Sequence, residues 1–409
     1  MSILLQARKG RVATCSGFIA LGGLTYIWST NVSAVRAQVG LFGAKGDMDF
    51  GLMALASGAA AALGSFMAGE IADRYGCRRA IIVSSITFAL VVIALGQVSS
   101  AWYAAPLFAL FGLCRGACDT ALNAHGIQVE RLYGRSIMTS FHFCFSFGGF
   151  IIGLFGSWLA SIFIDNAQVQ FSLIGGIMLV INVLTCFWLL PNTTTREHHE
   201  TIEKQSVEYE TSAETPLLIG LMIAFGVLLL GGMVSENVVG DWGEEFVRRV
   251  NRATGSQAGT AVSVFIGAEA AGRLFGDRLA QFFGRSRVVL VSAVSALIGI
   301  IMTVFPGTPT SSIIGFATLG LGLANVAPLM LSSAGRADPD SSGRNIGIVN
   351  AIGYSANLVS PAMTTLVVTS VGLGKLMYFP FIMLIPLLLF GPALMRRSEH
   401  FHHREMALD

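Results

Sequence analysis

Five ionisable side chains, Arg115, Asp119, His142, Glu269 and Arg273, stand inside long apolar stretches of this chain, with His125 and Glu236 nearer the ends of two such stretches. A charge at the middle of a bilayer-spanning helix costs about 3 kcal/mol, so each of these groups must pair, face water or do chemistry. Arg115 and Asp119 are spaced i, i+4, as are Glu269 and Arg273, which predicts that each carboxylate meets the arginine one helical turn away. One reading of such a pair is a structural ion pair. The other is a protonation site, with Asp119, Glu269 and His142 changing charge as their surroundings open to water and close again. Arg115 and Arg273 also have the donor geometry to hold the carboxylate or phosphate of a small molecule. For His142 the plainer alternative is a buried imidazole satisfied by a neighbouring helix.

Uncharged polar groups share these stretches. Trp28, Asn31, Asn123, Asn325, Asn350, Tyr354 and Asn357 can hydrogen-bond a polar solute, and the aromatic faces suit a sugar ring. Taken singly, each is more often an interhelical contact. Glu236 and Asp241, at the end of one stretch, suggest a gate, and Trp242 beside them reads equally well as an interfacial anchor.

The elements that must position these groups follow from composition. The chain has 409 residues, 53% apolar and 12% charged, where a soluble protein carries about 25% charged residues. Apolar runs of around 20 residues, the length a bilayer demands, recur at 12–34, 50–69, 80–99, 102–124, 137–160, 169–190, 216–239, 259–280, 288–305, 310–333, 346–371 and 376–395. In hydrocarbon such runs satisfy their backbone groups as helices. Eighteen of the 26 Lys and Arg residues fall on segments sharing the side of the amino terminus, against six on the opposite side, which predicts a multi-pass protein with both termini cytoplasmic. The basic start followed by an apolar stretch is expected to be an uncleaved first helix.

The polar, glutamate-rich stretch 191–215 reads as a cytoplasmic linker between helix bundles at 1–190 and 216–395, with a cytoplasmic tail at 396–409. The two bundles look related. Gly76-Cys77-Arg78-Arg79 recurs as Gly284-Arg285-Ser286-Arg287 at an offset of 208 residues, and the same offset lays Phe111-Gly112-Leu113 on Leu319-Gly320-Leu321 and His142 on Asn350. Internal repeats flanking a midplane site are a common construction for proteins that move solutes through membranes. A net charge of +2 and the lack of a basic patch interleaved with aromatics argue against nucleic acid. The six cysteines read as reduced, and neither the Cys114/Cys118 spacing nor the scattered histidines, His198, His199, His400, His402 and His403, makes a metal site the expectation. No cofactor is expected, and no nucleophile triad or phosphate loop supports an enzyme.

One loop carries a family signature. Gly69-Glu70-Ile71-Ala72-Asp73-Arg74-Tyr75-Gly76-Cys77-Arg78-Arg79 resembles the Gly-x-x-x-Asp-Arg-x-Gly-Arg-Arg motif of the major facilitator superfamily, departing from it at Cys77. Its glycines permit a short turn, Asp73 can meet the positive amino end of the following helix, and the arginines hold the inner leaflet. The later copy, Gly276-Asp277-Arg278 through Gly284-Arg285, is degenerate. The resemblance implies an all-α membrane protein, twelve transmembrane helices in two pseudo-symmetric six-helix bundles, with spans one, four, seven and ten around a central cavity. It assigns Gly69, Asp73, Arg74, Gly76, Arg78 and Arg79 to conformational control. Further stretches, including Asn123 to His142 and Gly320 to Pro328, are similar to a bacterial sugar-permease-like branch.

What this implies is a monomeric carrier of the bacterial inner membrane that moves a small polar solute (a sugar, polyol or organic acid) by alternating access, with a proton as coupling ion and the lipid bilayer as its surroundings. A proton-coupled exporter is the alternative within that class. A receptor or lipid-handling protein built on the same fold is the alternative outside it.

Overall fold

The computed structural model describes residues 3–133, 137–163, 166–191, 215–337 and 342–405. The expected linker falls on residues outside these, apart from its two end residues, and so do His198 and His199. The described residues contain helices, short turns and no strand. The chain divides into two compact units, Met1–Tyr209 and Glu210–Asp409.

In the first unit the spans run Ile3–Ser29, Gly43–Tyr75, Cys77–Gln97, Ala101–Tyr133, Met138–Ile162 and Ala167–Cys186. In the second, span seven runs from Thr215 through a π-helical turn at Val239–Gly243 to Arg249, and span eight is Gly255–Phe283. Span nine is Arg285–Val304. Span ten is broken into Pro309–Leu323 and Val326–Ala337, span eleven into Ser342–Tyr354 and Ala356–Val371, and span twelve is Tyr378–Glu405. Eleven of the twelve are long and apolar enough to cross a bilayer. The exception, Gly255–Phe283, has the length at 29 residues and carries Glu269 and Arg273 within it.

Several helices outrun the apolar runs that announce them. Gly43–Tyr75 and Ala101–Tyr133 each have 33 residues, about 50 Å. The last helix continues to Glu405 where a tail from 396 was expected. Hydropathy marks only the part of a helix that needs hydrocarbon, and the rest persists because the backbone ladder continues past the apolar boundary. The expected loop between spans one and two contains a short helix, Val32–Val39, closed by Gly40 in the left-handed conformation at φ 78°, whose N–H satisfies the Ala37 and Arg36 carbonyls.

The repeat is visible in backbone geometry. Gly76 (φ 88°, ψ 147°) and Gly284 (φ 80°, ψ 145°) each join two antiparallel spans in the same conformation. Gly112 lies so close to the Ser57 carbonyl that no Cβ fits, and Gly320 stands in the same relation to the Phe265 carbonyl, 208 residues on for both partners. Arg78 Nη2 donates to the Cys186 carbonyl at 3.3 Å, and Ser286 Oγ, the residue 208 positions later, donates to Pro392 O at 2.9 Å. These contacts fix how spans two, three, four and six pack in one unit, and eight, nine, ten and twelve in the other.

His125 ties three parts of the first unit together. Its Nε2 accepts the Leu190 N–H at 3.0 Å, which leaves Nδ1–H to donate to Thr14 Oγ1 at 2.9 Å, and that hydroxyl donates to the Gly10 carbonyl at 2.8 Å. The ring is fully buried with both nitrogens satisfied. Its role is therefore to fasten span four to span one and to the end of span six.

Two outcomes follow for the purified protein in detergent. Gly320→Ala should lower its thermal midpoint, overpacking at a closed helix crossing costing about 1–3 kcal/mol. Gly176→Ala, where nothing lies within 4 Å of the added carbon, should leave the midpoint unchanged or raise it. Equal midpoints for the two variants would contradict the crossing. His125→Phe should lower the midpoint by the cost of stranding the Leu190 N–H, about 1–3 kcal/mol; a wild-type midpoint would show that the fastening contributes nothing.

Candidate functional site

The second unit assembles Glu236 of span seven with Glu269 and Arg273 of span eight. Arg273 Nη2 donates to Glu269 Oε1 and stands 3.8 Å from Glu236 Oε1. Glu269 is 2% exposed at its side chain and Glu236 26%, so one acid is sealed in and the other is reachable. Two carboxyls around one guanidinium are electrically neutral only when they hold one proton between them.

Irregular backbone surrounds this cluster. Gly272 and Gly276 of span eight press against Ala324 and Asn325, the two residues where span ten breaks. The break has a cause in Pro328, which has no N–H for the Ala324 carbonyl four residues back. Three residues after Glu236, span seven loosens into the π turn Val239-Gly240-Asp241-Trp242-Gly243, a form that recurs at functional sites. Asn237 Nδ2 donates to Asn357 Oδ1 of span eleven at 3.3 Å, close to the break at Ser355.

Glu236 and Glu269, read from sequence as a gate and a proton site, are thus parts of one cluster. Tyr354 is exposed beside the break in span eleven, Asn325 is buried in the break of span ten, and Asn350 keeps its side-chain oxygen buried without a hydrogen-bond donor. Asp241 is half-buried in the π turn.

In the first unit the expected contact between Arg115 and Asp119 is not made. Asp119 Oδ1 accepts instead from Asn123 Nδ2 at 3.1 Å, and the same amide reaches the Asp119 carbonyl at 2.9 Å. The order of the residues gives the reason. An acid preceding its base by four residues, as Glu269 precedes Arg273, is the favourable arrangement, because helical side chains lean toward the amino end and the long arginine reaches back to the acid. With Arg115 first, the guanidinium leans away from Asp119.

His142 is half-buried, its ring tilted against Phe18 at 5.6 Å. Trp28 is buried among Phe50, Phe108 and Phe111, with the nearest centroid at 4.1 Å, and Asn31 is buried with its amide on the Ile27 carbonyl at 3.0 Å. A solute would have to displace that packing to touch either. In the signature loop, Gly69 has open space around it, Arg74 pairs with Glu70 at 3.0 Å on an exposed surface, Arg79 is exposed and Arg78 holds the end of span six. The Asp73 side chain lies outside the described residues.

Three polar features escaped the sequence reading. Asn237 adjoins Glu236 and could have been found as a polar neighbour in an apolar run. Glu245 is fully buried and pairs with Arg248 at 2.8 Å and Arg249 at 3.4 Å; the i, i+3 and i, i+4 spacings were the available signal. Arg36, two residues past the first apolar run, is buried, pairs with Asp47 at 2.5 Å and lies 4.9 Å above the Phe50 ring. A separation of 11 residues across a turn offers no periodic cue. Among the described residues no group of three or more His, Cys, Asp and Glu side chains is arranged to hold a metal.

Comparison with known proteins agrees with this architecture. An uncharacterised transporter from Yersinia pestis is 27% identical over 355 residues, spanning 86% of this chain and 87% of its own length. Among solved structures, a D-xylose–proton symporter superposes with a TM-score of 0.72 at 14% identity, covering 95% of this chain and 97% of its own, and the nucleoside transporter NupG with 0.65 at 13%, covering 98% and 99%. At such identities these two show the fold alone. The Major Facilitator Superfamily family model matches residues 13–235 and again 216–406, two matches that overlap in span seven. With twelve spans, two repeated units and a doubled family match, this chain belongs to the major facilitator superfamily of membrane transporters.

Proposed function

We propose that this chain is a secondary active transporter that carries a small polar solute across a bacterial inner membrane in symport with a proton, by alternating access and as a monomer. The observation that supports this most directly is the ratio of groups in the second unit, two carboxyls to one guanidinium. With both acids ionised, the cluster holds one uncompensated negative charge inside the slab, and one proton cancels it. A group that is neutral with a proton and charged without it converts proton binding into a preference between two conformations. In this scheme Glu236, the more exposed acid, takes and gives the proton while Glu269 stays with Arg273. Asp119 and His142 are the further candidates for proton handling in the first unit.

The solute is expected to meet Asn325, Tyr354 and Asn357, which stand at or next to helix breaks where unwound backbone offers its own hydrogen-bonding groups. That a D-xylose–proton symporter shares the fold is consistent with a polar, hydroxyl-rich cargo. The excess of Lys and Arg on one set of connections supports both termini lying in the cytoplasm, and the loop from Gly69 to Arg79 is assigned to control of the conformational change.

In proteoliposomes screened against sugars, polyols and organic acids, the transported solute should bring protons inward with it. Glu236→Gln and Glu269→Gln should each abolish accumulation driven by a pH gradient while retaining exchange of labelled for unlabelled solute. If both variants accumulate solute as wild type does, the cluster does not couple the proton. Arg273→Leu, which leaves two acids without their cation, should destabilise the protein by about 3–5 kcal/mol, and adding Glu269→Gln should recover part of that loss in thermal unfolding.

A further inference from the structure

Arg115 differs from the other arginines sequestered in this molecule. Arg36 is held by Asp47, Arg273 by Glu269 and Glu236, and the half-buried Arg248 by Glu245. Arg115, half-buried midway along Ala101–Tyr133, makes no hydrogen bond and no contact ion pair with any described residue. The nearest acid along its helix, Asp119, has turned to the amide of Asn123. The guanidinium therefore keeps only a through-space attraction to Asp119 and has donors to spare for a ligand. A lipid headgroup does not reach the middle of a helix of this length.

We propose that Arg115 receives a carboxylate of the transported solute, and that the solute is a small hydroxylated monocarboxylate. This rests on the symporter reading above and narrows it. The planar fork of arginine matches a carboxylate through two parallel charge-assisted hydrogen bonds, whereas a neutral sugar offers only single, uncharged hydroxyl acceptors. Asp119, one turn away but not in contact with the guanidinium, adds its own negative charge to the neighbourhood, so a single added negative charge is the most the arginine can balance and the two of a phosphate monoester exceed it. The amide of Asn123, already turned toward Asp119, holds that carboxylate aside from the guanidinium. A monoanion carried with one proton moves no net charge, so uptake follows the pH gradient and ignores the membrane potential.

The test uses the purified full-length protein with hydroxy monocarboxylates from lactate to gluconate, the neutral polyols glycerol and sorbitol, and glycerol phosphate. Thermal shift should show stabilisation by a carboxylate and none by the matching polyol or phosphate ester. Arg115→Gln should weaken that binding roughly tenfold to hundredfold, and Arg115→Lys, which keeps the charge and loses the fork, should fall between. Should Arg115→Gln not fold, the Lys variant and the potential-independence of wild-type uptake carry the test. Preferential binding of a polyol or phosphate ester, no shift with any carboxylate, unchanged affinity in Arg115→Gln or Arg115→Lys, or uptake that responds to potential overturns the proposal. Proton-linked uptake of a neutral polyol would do so while leaving the symporter reading standing; solute uptake that moves no protons would remove that reading itself.

Discussion

Hydrocarbon supplies no hydrogen-bond partner, and the polar groups of this chain are arranged around that deficit. Helical ladders satisfy the backbone through the spans. Where a ladder ends inside the protein, a side chain completes it: Glu130 Oε2 accepts the N–H groups of Ile137 and Met138 at 2.6 and 2.9 Å where span five begins, and His125 does the same for Leu190. Side-chain charges obey the same constraint, at about 3 kcal/mol for each one left alone at mid-slab. The cluster of Glu236, Glu269 and Arg273 is therefore an expensive object, and its odd number of charges keeps it from being neutral without a proton.

The two units share their packing and differ in their chemistry. Helix crossings, the glycine junctions and the donor position of the hydrogen bond that anchors span three or nine recur at an offset of 208 residues. At the same offset, Glu236, Glu269 and Arg273 fall on Trp28, Ala61 and Ser65, while Arg115 and Asp119 fall on Leu323 and Ala327. The position that holds an acid in the second unit holds an indole in the first, stacked with Phe50, Phe108 and Phe111. Contacts between small residues and backbone carbonyls persist because any larger group closes the crossing, whereas a position beside the crossing can exchange a ring for a charge without altering how the helices meet.

The twelve spans and their pairing into two units were legible from sequence because both are written in short-range terms: twenty apolar residues, a glycine at a turn, a repeated tetrapeptide. The ends of Gly43–Tyr75 and Tyr378–Glu405 were not, since a helix that leaves the bilayer keeps its ladder without keeping its hydropathy. The pair Glu269 and Arg273 could be read from its spacing, but the addition of Glu236 could not, because that contact joins different spans and depends on how they are turned toward each other. For the same reason the burial of Arg36 against Asp47 and Phe50 leaves no trace in the spacing of the residues.

The two i, i+4 pairs show how much a spacing alone conceals. Both were expected to neutralise themselves, and only the one with its acid on the amino-terminal side does. A helical side chain leans toward the amino end, so a long arginine placed four residues after a glutamate lies along the helix and reaches it. Reversing the order leaves a short aspartate that cannot extend forward and an arginine that leans away, and Asp119 finds its donor in Asn123 instead. The consequence is a division of labour between the spans. Span eight holds a closed ion pair with a second acid beside it, while span four holds an arginine and an aspartate that do not meet.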